Sequence, residues 1–456
     1  MEIAQKLAVS DPNNAAAQAD LATDYVKLGD VLLESEQVTE ALGHYERALE
    51  IDQKLADIDP SNTVAQRSLS TAIERVAIAF EKSGKLTEAY EQYNRMLSIK
   101  NRLAEQDPKD SLAQLELSIT YSHLGDVQRK SDRLNEAMRS YERALEIAQK
   151  LAAADPSDAR AQRNLSSTLS KLGALSLQRG NLEEARGFFE RTRQIRIAVA
   201  SLDPGNVEDQ RDLSNTYEKL GDAQLQSGQV TEALGSYQKR LEIRQTLAAA
   251  DPSDAQAQFG LYSSHHRIAN VQQNQKQYEQ AIESYGRGLA VLQSLKEQKR
   301  LATANEKWIE VVERSIQQCK HAPTALGDWK TLLEQPAELL PVLLDLRGQE
   351  VVHENRFSDA IQAVAKLREL GTATSGQLYN AACVYCLCAT GIKAEKDELT
   401  AEQSAARQKH IADALATLRE AIRAGYKDFA HMQKDPDLTP LRDLPEFQKL
   451  IKPQEK

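Results

Sequence analysis

Apolar residues along most of the chain recur at steps of three and four. In the first stretch, Leu21, Tyr25, Leu28 and Leu32 form one such stripe, and Ala41, Leu42, Tyr45, Ala48, Leu49 and Leu55 form a second. Each stripe is one face of an α-helix, and the strict alternation of a half-buried strand is absent. The polar stretch ESEQ separates the two, with Thr39 placed to cap the second helix. Pro60 ends that helix, because proline lacks the N–H that a further turn needs. Asn62, Asp158 and Asp254 stand two residues after such prolines, where a short polar side chain caps the following helix. The predicted unit is therefore a helical hairpin.

The unit repeats. Asp-Pro occurs at Asp11, Asp59, Asp107, Asp155, Asp203 and Asp251, every interval being 48 residues. Gln18, Gln66, Gln114, Gln162, Gln210 and Gln258 keep the same step, as do Leu21, Leu69, Leu117, Leu165, Leu213 and Leu261. So do Ala41, Ala89, Ala137, Ala185, Ala233 and Ala281, and the ring column Tyr45, Tyr93, Tyr141, Phe189, Tyr237 and Tyr285. Six copies fill residues 12–299. A fixed period of helical hairpins predicts an all-α solenoid, in which stacking buries what one hairpin cannot.

The order of small and large residues resembles the tetratricopeptide repeat, with Tyr25, Leu28, Gly29, Ala41, Tyr45 and Ala48 in register. The resemblance implies a right-handed superhelical solenoid of antiparallel helix hairpins whose first helices line a concave groove. Gly29, Gly125, Gly173 and Gly221 would let paired helices approach closely. The usual repeat has about 34 residues, against 48 here. The fourteen extra residues divide into seven between Ala48 and Pro60 and seven between Pro60 and Ala77. Seven is close to two helical turns, so each helix lengthens without losing the phase of its buried stripe.

The ends differ from the array. Residues 2–15 nearly repeat 146–159, the end of a second helix, so residues 1–11 read as the remnant of a preceding repeat. The chain is then either the tail of a longer protein or one with a loosely capped first helix. Residues 300–456 read as a helical region with degenerate hairpins and a capping tail. A helix carries Trp308, Ile309 and Val312, and a hairpin of ordinary length has Gly348 and Ala360 in register. A further hairpin surrounds a charged insertion at 393–408. The tail resembles the close of many bacterial arrays of this family, through Gly425, Tyr426, Asp435, Pro436, Asp437, Leu438, Leu441, Arg442, Pro445 and Phe447. Long-repeat arrays with this tail also resemble the C-terminal regions of bacterial serine/threonine protein kinases.

Composition narrows the chemistry. Acidic residues outnumber basic ones, 67 to 57, where a nucleic-acid binder usually carries a basic excess. No signal-peptide pattern opens the chain, and the uncharged stretch 372–392 is interrupted by polar residues, so it does not read as a membrane span. The expected location is cytoplasmic. Cys319, Cys383, Cys386 and Cys388 make no disulfide framework, and the last three read as small buried helix residues, no second ligand pair being evident for a metal. His265, His266 and His321 lack partners at metal spacing. There is no GxSxG, HExxH, Walker loop or kinase signature set. No enzyme activity, metal or cofactor is expected.

One charge pattern offers a surface. Lys27, Arg75, His123, Lys171, Lys219 and Arg267 occupy one position in all six copies. The family resemblance places this position on the groove, where the stacked side chains would form a cationic ladder for an acidic peptide or a C-terminal carboxylate. Equally, Asp30, Asp126 and Asp222 lie three residues beyond Lys27, His123 and Lys219, and helical neighbours at that spacing can pair. A second column, Arg47, Arg95, Arg143, Arg191, Lys239 and Arg287, reads as a solvated and locally paired face. The function expected is a protein-interaction scaffold, the alternative a recruiting part of a kinase without its catalytic domain. Self-association through the uncapped N-terminal end is a third reading.

Overall fold

A computed structural model describes residues 10–11, 14–393 and 398–451. Residues 1–9 of the expected remnant and 394–397 of the insertion thus lie outside the described residues. By internal contacts the chain divides at Ser264/His265, inside the sixth copy.

The first unit is an all-α array of hairpins. Its helices are α1 (Ala15–Glu34), α2 (Val38–Ile58), α3 (Thr63–Lys82), α4 (Leu86–Gln106), α5 (Ser111–Lys130), α6 (Leu134–Ala154), α7 (Ala159–Gln178), α8 (Leu182–Leu202), α9 (Val207–Gln226) and α10 (Val230–Ala250). The division falls within α11 (Ala255–Asn274). First helices have 20 residues and second helices 21.

The Asp-Pro junction is a compact stop-and-start signal. The Asp59 carboxylate accepts from the Ser61 backbone N–H at 3.0 Å and its hydroxyl at 2.6 Å. Asn62 then accepts from Val64 and Ala65, the orphan donors of the next helix. Asn14, Asp110, Asp158, Asn206 and Asp254 cap in the same way. The Gln column closes the other end: Gln66, Gln114, Gln162 and Gln258 donate to the carbonyls of Ala56, Ala104, Ala152 and Ala248 in the last turn of the preceding helix.

Thr39 does not cap. Helix α2 begins at Val38, with Gln37 at the cap position making no side-chain hydrogen bond. The turn closes sooner than its polar residues imply, because Glu36 adopts a left-handed backbone (φ 61°) and the Gln37 N–H reaches the Leu32 carbonyl. Gly84, Gly180 and Gly228 hold this conformation in other copies without the penalty a side chain incurs. Replacing Glu36 by Gly should therefore raise the urea midpoint, by an amount corresponding to about 0.5–1 kcal/mol.

Glycine and ring columns meet inside each hairpin. A Cβ on Gly29, Gly125, Gly173 or Gly221 would lie 2.4–2.7 Å from the ring of Tyr45, Tyr141, Phe189 or Tyr237. Those rings are buried, so only a residue without a side chain admits them at that distance.

The second unit contains α12 (Tyr278–Glu297), α13 (Lys307–Leu326), the short α14 (Trp329–Leu333), α15 (Leu340–His353), α16 (Phe357–Leu370), α17 (Ser375–Gly391), α18 (Ala401–Arg423), α19 (Phe429–Lys434) and α20 (Pro445–Ile451). Helices α15 and α16 have 14 residues each, the ordinary length, and a Cβ on Gly348 would lie 2.8 Å from Val364. The tail packs through its apolar residues. Leu438, Leu441 and Phe447 are at most 1% exposed, and Tyr379 stacks on Tyr426 at 4.4 Å between ring centres. Asp435 accepts from the Tyr379 hydroxyl and the Asp437 N–H, while Arg442 donates to the carbonyls of Lys434 and Asp435.

Candidate interaction surface

The ladder residues follow the caps along the first helix of each copy. Four of them, Arg75, His123, Lys171 and Lys219, reach back to the preceding copy. Arg75 lies 3.1 Å from Asp30, and Lys171 bonds Asp126. His123 lies 3.2 Å from Glu74 and stacks face to face on Tyr93 at 5.4 Å. Lys219 donates to the Ser170 hydroxyl at 2.9 Å. Lys27, in the first copy, is exposed. Arg267 lies in the second unit. The structure thus brings Arg75, His123, Lys171 and Lys219 into one series of inter-repeat contacts. Arg75, His123 and Lys171 each keep a quarter to a third of the side chain exposed (34, 26 and 25%).

The ring column feeds the same acids. Tyr45 donates to Asp30 at 2.8 Å, and Tyr141 to Asp126 at 2.6 Å. Each of these carboxylates therefore joins a hydroxyl of its own hairpin to a cation of the next. Burial alone would raise the Asp126 carboxyl; the Lys171 ammonium and the Tyr141 hydroxyl hold it below its ordinary value instead. In the second copy Ala77 replaces the glycine and Ile78 the acid. There Tyr93 donates to Glu81 one turn further along, and Lys130 of the third copy takes the other oxygen, both at 2.5 Å.

A second set of pairs joins the capped ends. Arg67 meets Asp110 at 2.7 Å, Arg163 holds Asp209 through two bonds, and Arg211 bonds Asp254. Cap and inter-repeat pair are thus the same residue at Asp110 and Asp254. In the other basic column Arg143 and Lys239 pair with Glu146 and Glu242, and Arg287 with Glu283, on their own helices and at least half exposed, whereas Arg95 bonds Gln53 of the preceding copy and Arg47 lies over the Tyr25 ring.

Sequence reading missed one column. Asp52, Lys100, Arg196 and Arg244 occupy a position on the second helix that is Ala148 or Leu292 in the other copies. A charge among apolar equivalents was the available signal. Lys100 meets Glu116 at 3.1 Å, and Arg196 donates to Asp212, Thr216 and Ser166. Arg244 donates to Ser214 and Asn215, and burial lowers its guanidinium to about 10. Asp52 is 4% exposed beside a cavity of about 290 Å³, and burial raises its carboxyl to about 6. A carboxyl that holds its proton more tightly in the folded chain loses stability as pH rises through that range. Asp52→Leu should accordingly stabilise the protein by roughly 2 kcal/mol at pH 8. The gain should shrink towards pH 4, and urea midpoints at the two pH values measure it.

The remaining candidates sit in packing. Cys319, Cys383, Cys386 and Cys388 are buried thiols. Burial pushes Cys319 up to about 11 and Cys386 and Cys388 up to about 12. His265 and His266 are lowered by burial, and His266 packs edge-on against Tyr285 and Trp308. Among the described residues, no helix is long and apolar enough to cross a membrane.

The chain is similar to several solved structures. BtubC (BKLC) from P. vanneervenii shares 20% identity, covering 57% of this chain and 92% of that one, with a TM-score of 0.46. A putative kinesin light chain with nearly identical TPR-like repeats from Podosopora anserina shares 16% over 50% of this chain and 96% of its own, with a TM-score of 0.38. The STAND protein PH0952 from Pyrococcus horikoshii, which has a tetratricopeptide repeat sensor, shares 14% over 89% of this chain and 54% of its own, at 0.40. Among curated proteins none matches. Residues 119–151, 165–204 and 262–291 match family models described as tetratricopeptide repeat. The first two segments fall on hairpins with glycine and ring in register (Gly125 with Tyr141, Gly173 with Phe189) and the third on the hairpin of Ala269 and Tyr285, and these segments are tetratricopeptide repeats.

Proposed function

We propose that this protein is a non-enzymatic scaffold that binds an extended segment of a partner protein along the face formed by its first helices. The observation that carries this reading is the ladder: Arg75, His123 and Lys171 recur at one position and are tied to neighbouring copies while keeping part of each side chain exposed. A surface held rigid before binding loses little entropy on binding. Cationic groups at a fixed step suit an acidic peptide. The chain as a whole carries a net charge of −10, so attraction of such a peptide has to be local.

The test uses a fluorescein-labelled decaglutamate peptide, with decaglutamine as control, read by fluorescence anisotropy. Arg75→Glu combined with Lys171→Glu should weaken decaglutamate binding at least tenfold with the helical circular-dichroism signal retained. Unchanged affinity would remove the ladder as the binding face. The resemblance of the long repeats and tail to kinase-linked arrays suggests a second reading of the same surface. In it the array recruits substrates for a serine/threonine kinase domain.

A further inference from the structure

The acid–cation series has one gap. In the first three copies a carboxylate stands at one of three positions that face the next copy's cations: Asp30, then Glu74 and Glu81, then Asp126. In the fourth copy the three corresponding residues are Ser170, Ala174 and Leu177. The ring of that copy has lost its hydroxyl as well, being Phe189. The two losses belong together. Asp30 and Asp126 each serve a tyrosine fifteen residues on, and Phe189 needs no acceptor at Ala174.

The cation of the fifth copy is nevertheless retained. Lys219 stands to Ala174 as Arg75 stands to Asp30 and Lys171 to Asp126. Its one hydrogen bond among the described residues goes to the neutral Ser170 hydroxyl, at 2.9 Å. Other cations surround it. Arg196, Lys171 and Arg129 act on its ammonium in the same unfavourable sense as burial, and Asp212, which lies 3.1 Å from Arg196, is the acid opposing them. Burial lowers the Lys219 ammonium below its ordinary value. Ala174 and Lys219 are both half-buried.

We infer that the position over Ala174, beside the Lys219–Ser170 bond, is a subsite for the side-chain carboxylate of an Asp or Glu in a partner peptide. It rests on the scaffold reading above and gives that reading a point of attachment. The chain itself supplies the precedent, since Asp30 and Asp126 fill the equivalent place in the first and third copies. A partner carboxylate would complete the series in the fourth, accepting from Lys219 as Asp126 accepts from Lys171.

Two variants test the subsite by opposite routes. Ala174→Asp supplies the missing acid from within, and should raise the melting temperature while weakening decaglutamate binding about tenfold, the loss of one charge-assisted contact. Lys219→Met removes the cation and should weaken binding to a similar degree, with the circular-dichroism signal unchanged. If both variants bind like the wild type while the Arg75→Glu/Lys171→Glu pair does not, the subsite is wrong and the ladder stands. If the wild type shows no saturable decaglutamate binding, the subsite and the acidic-peptide reading fall together. A lower melting temperature for Ala174→Asp would overturn the inferred geometry directly.

Discussion

Replacing Gly125 by Ala should destabilise the protein by about 2 kcal/mol, although alanine is the better helix former by about 1 kcal/mol. The added Cβ would lie 2.5 Å from Cε1 of Tyr141, a ring with no exposed surface. Overpacking of this kind typically costs about 1–3 kcal/mol, and here the Tyr141 bond to Asp126 is strained as well. The chain shows how such a clash is relieved. In the second copy Ala77 stands in the glycine position, and the Tyr93 hydroxyl bonds Glu81 in place of the residue after the alanine. In the sixth, Ala269 accompanies a Tyr285 hydroxyl that donates to both Asn270 and Gln273. The third copy cannot make this change, because Arg129, a donor, occupies the position of Glu81. Adding Arg129→Glu to Gly125→Ala should therefore return about 1 kcal/mol, read as a double-mutant cycle on urea midpoints. A neutral Gly125→Ala would show that the ring has room to retreat.

Arg347→Met should be more damaging still, at about 3–5 kcal/mol, the range for breaking a buried ion pair from one side. The Arg347 side chain is 3% exposed. Its guanidinium holds both oxygens of Asp359, donates to the carbonyls of Ala325 and Gly327, and lies 4.4 Å from the centre of the Trp329 ring. It therefore fastens three segments of the second unit together: the end of α13, the start of α14, and α16. Methionine fills a similar volume and leaves an acid and two carbonyls without this donor. Lysine preserves the charge but not the planar fork, so Arg347→Lys should recover less than half of the loss. Thermal denaturation of the variants decides it; a shift of one or two degrees for Arg347→Met would mean that water replaces the guanidinium.

What the sequence disclosed depended on the range of each interaction. The helical hairpins, the Asx caps and the close approach of Gly29 to Tyr45 follow from local chemistry or from self-similarity, and all are present in the structure. Thr39 was misplaced because the left-handed conformation of Glu36, which ends the turn early, has no signature in a residue type that rarely adopts it. The pairing of the ladder was hidden for another reason. Helical arithmetic sets Asp30 opposite Lys27, three residues away, yet its partner is Arg75, which approaches only once two hairpins have stacked. Buried Arg347 was equally invisible: a lone arginine beside Gly348 reads as surface until Asp359 and Trp329 are seen to enclose it.

The ladder bonds have a direction, the acid belonging to one copy and the cation to the next, opposite to that of the Arg67–Asp110 and Arg163–Asp209 pairs. Copies are consequently unequal under recombination, even though their lengths agree to the residue. Excision of residues 156–203 would bring Asp126 opposite Lys219 in the register that Asp126 now shares with Lys171. The shortened array would have no gap. Excision of residues 60–107 would instead set Asp30 opposite His123, exchanging a permanent charge for one that titrates. Unequal crossing-over between such copies changes more than the length of the array. It redistributes which joints are sealed from within and which stay open to another chain.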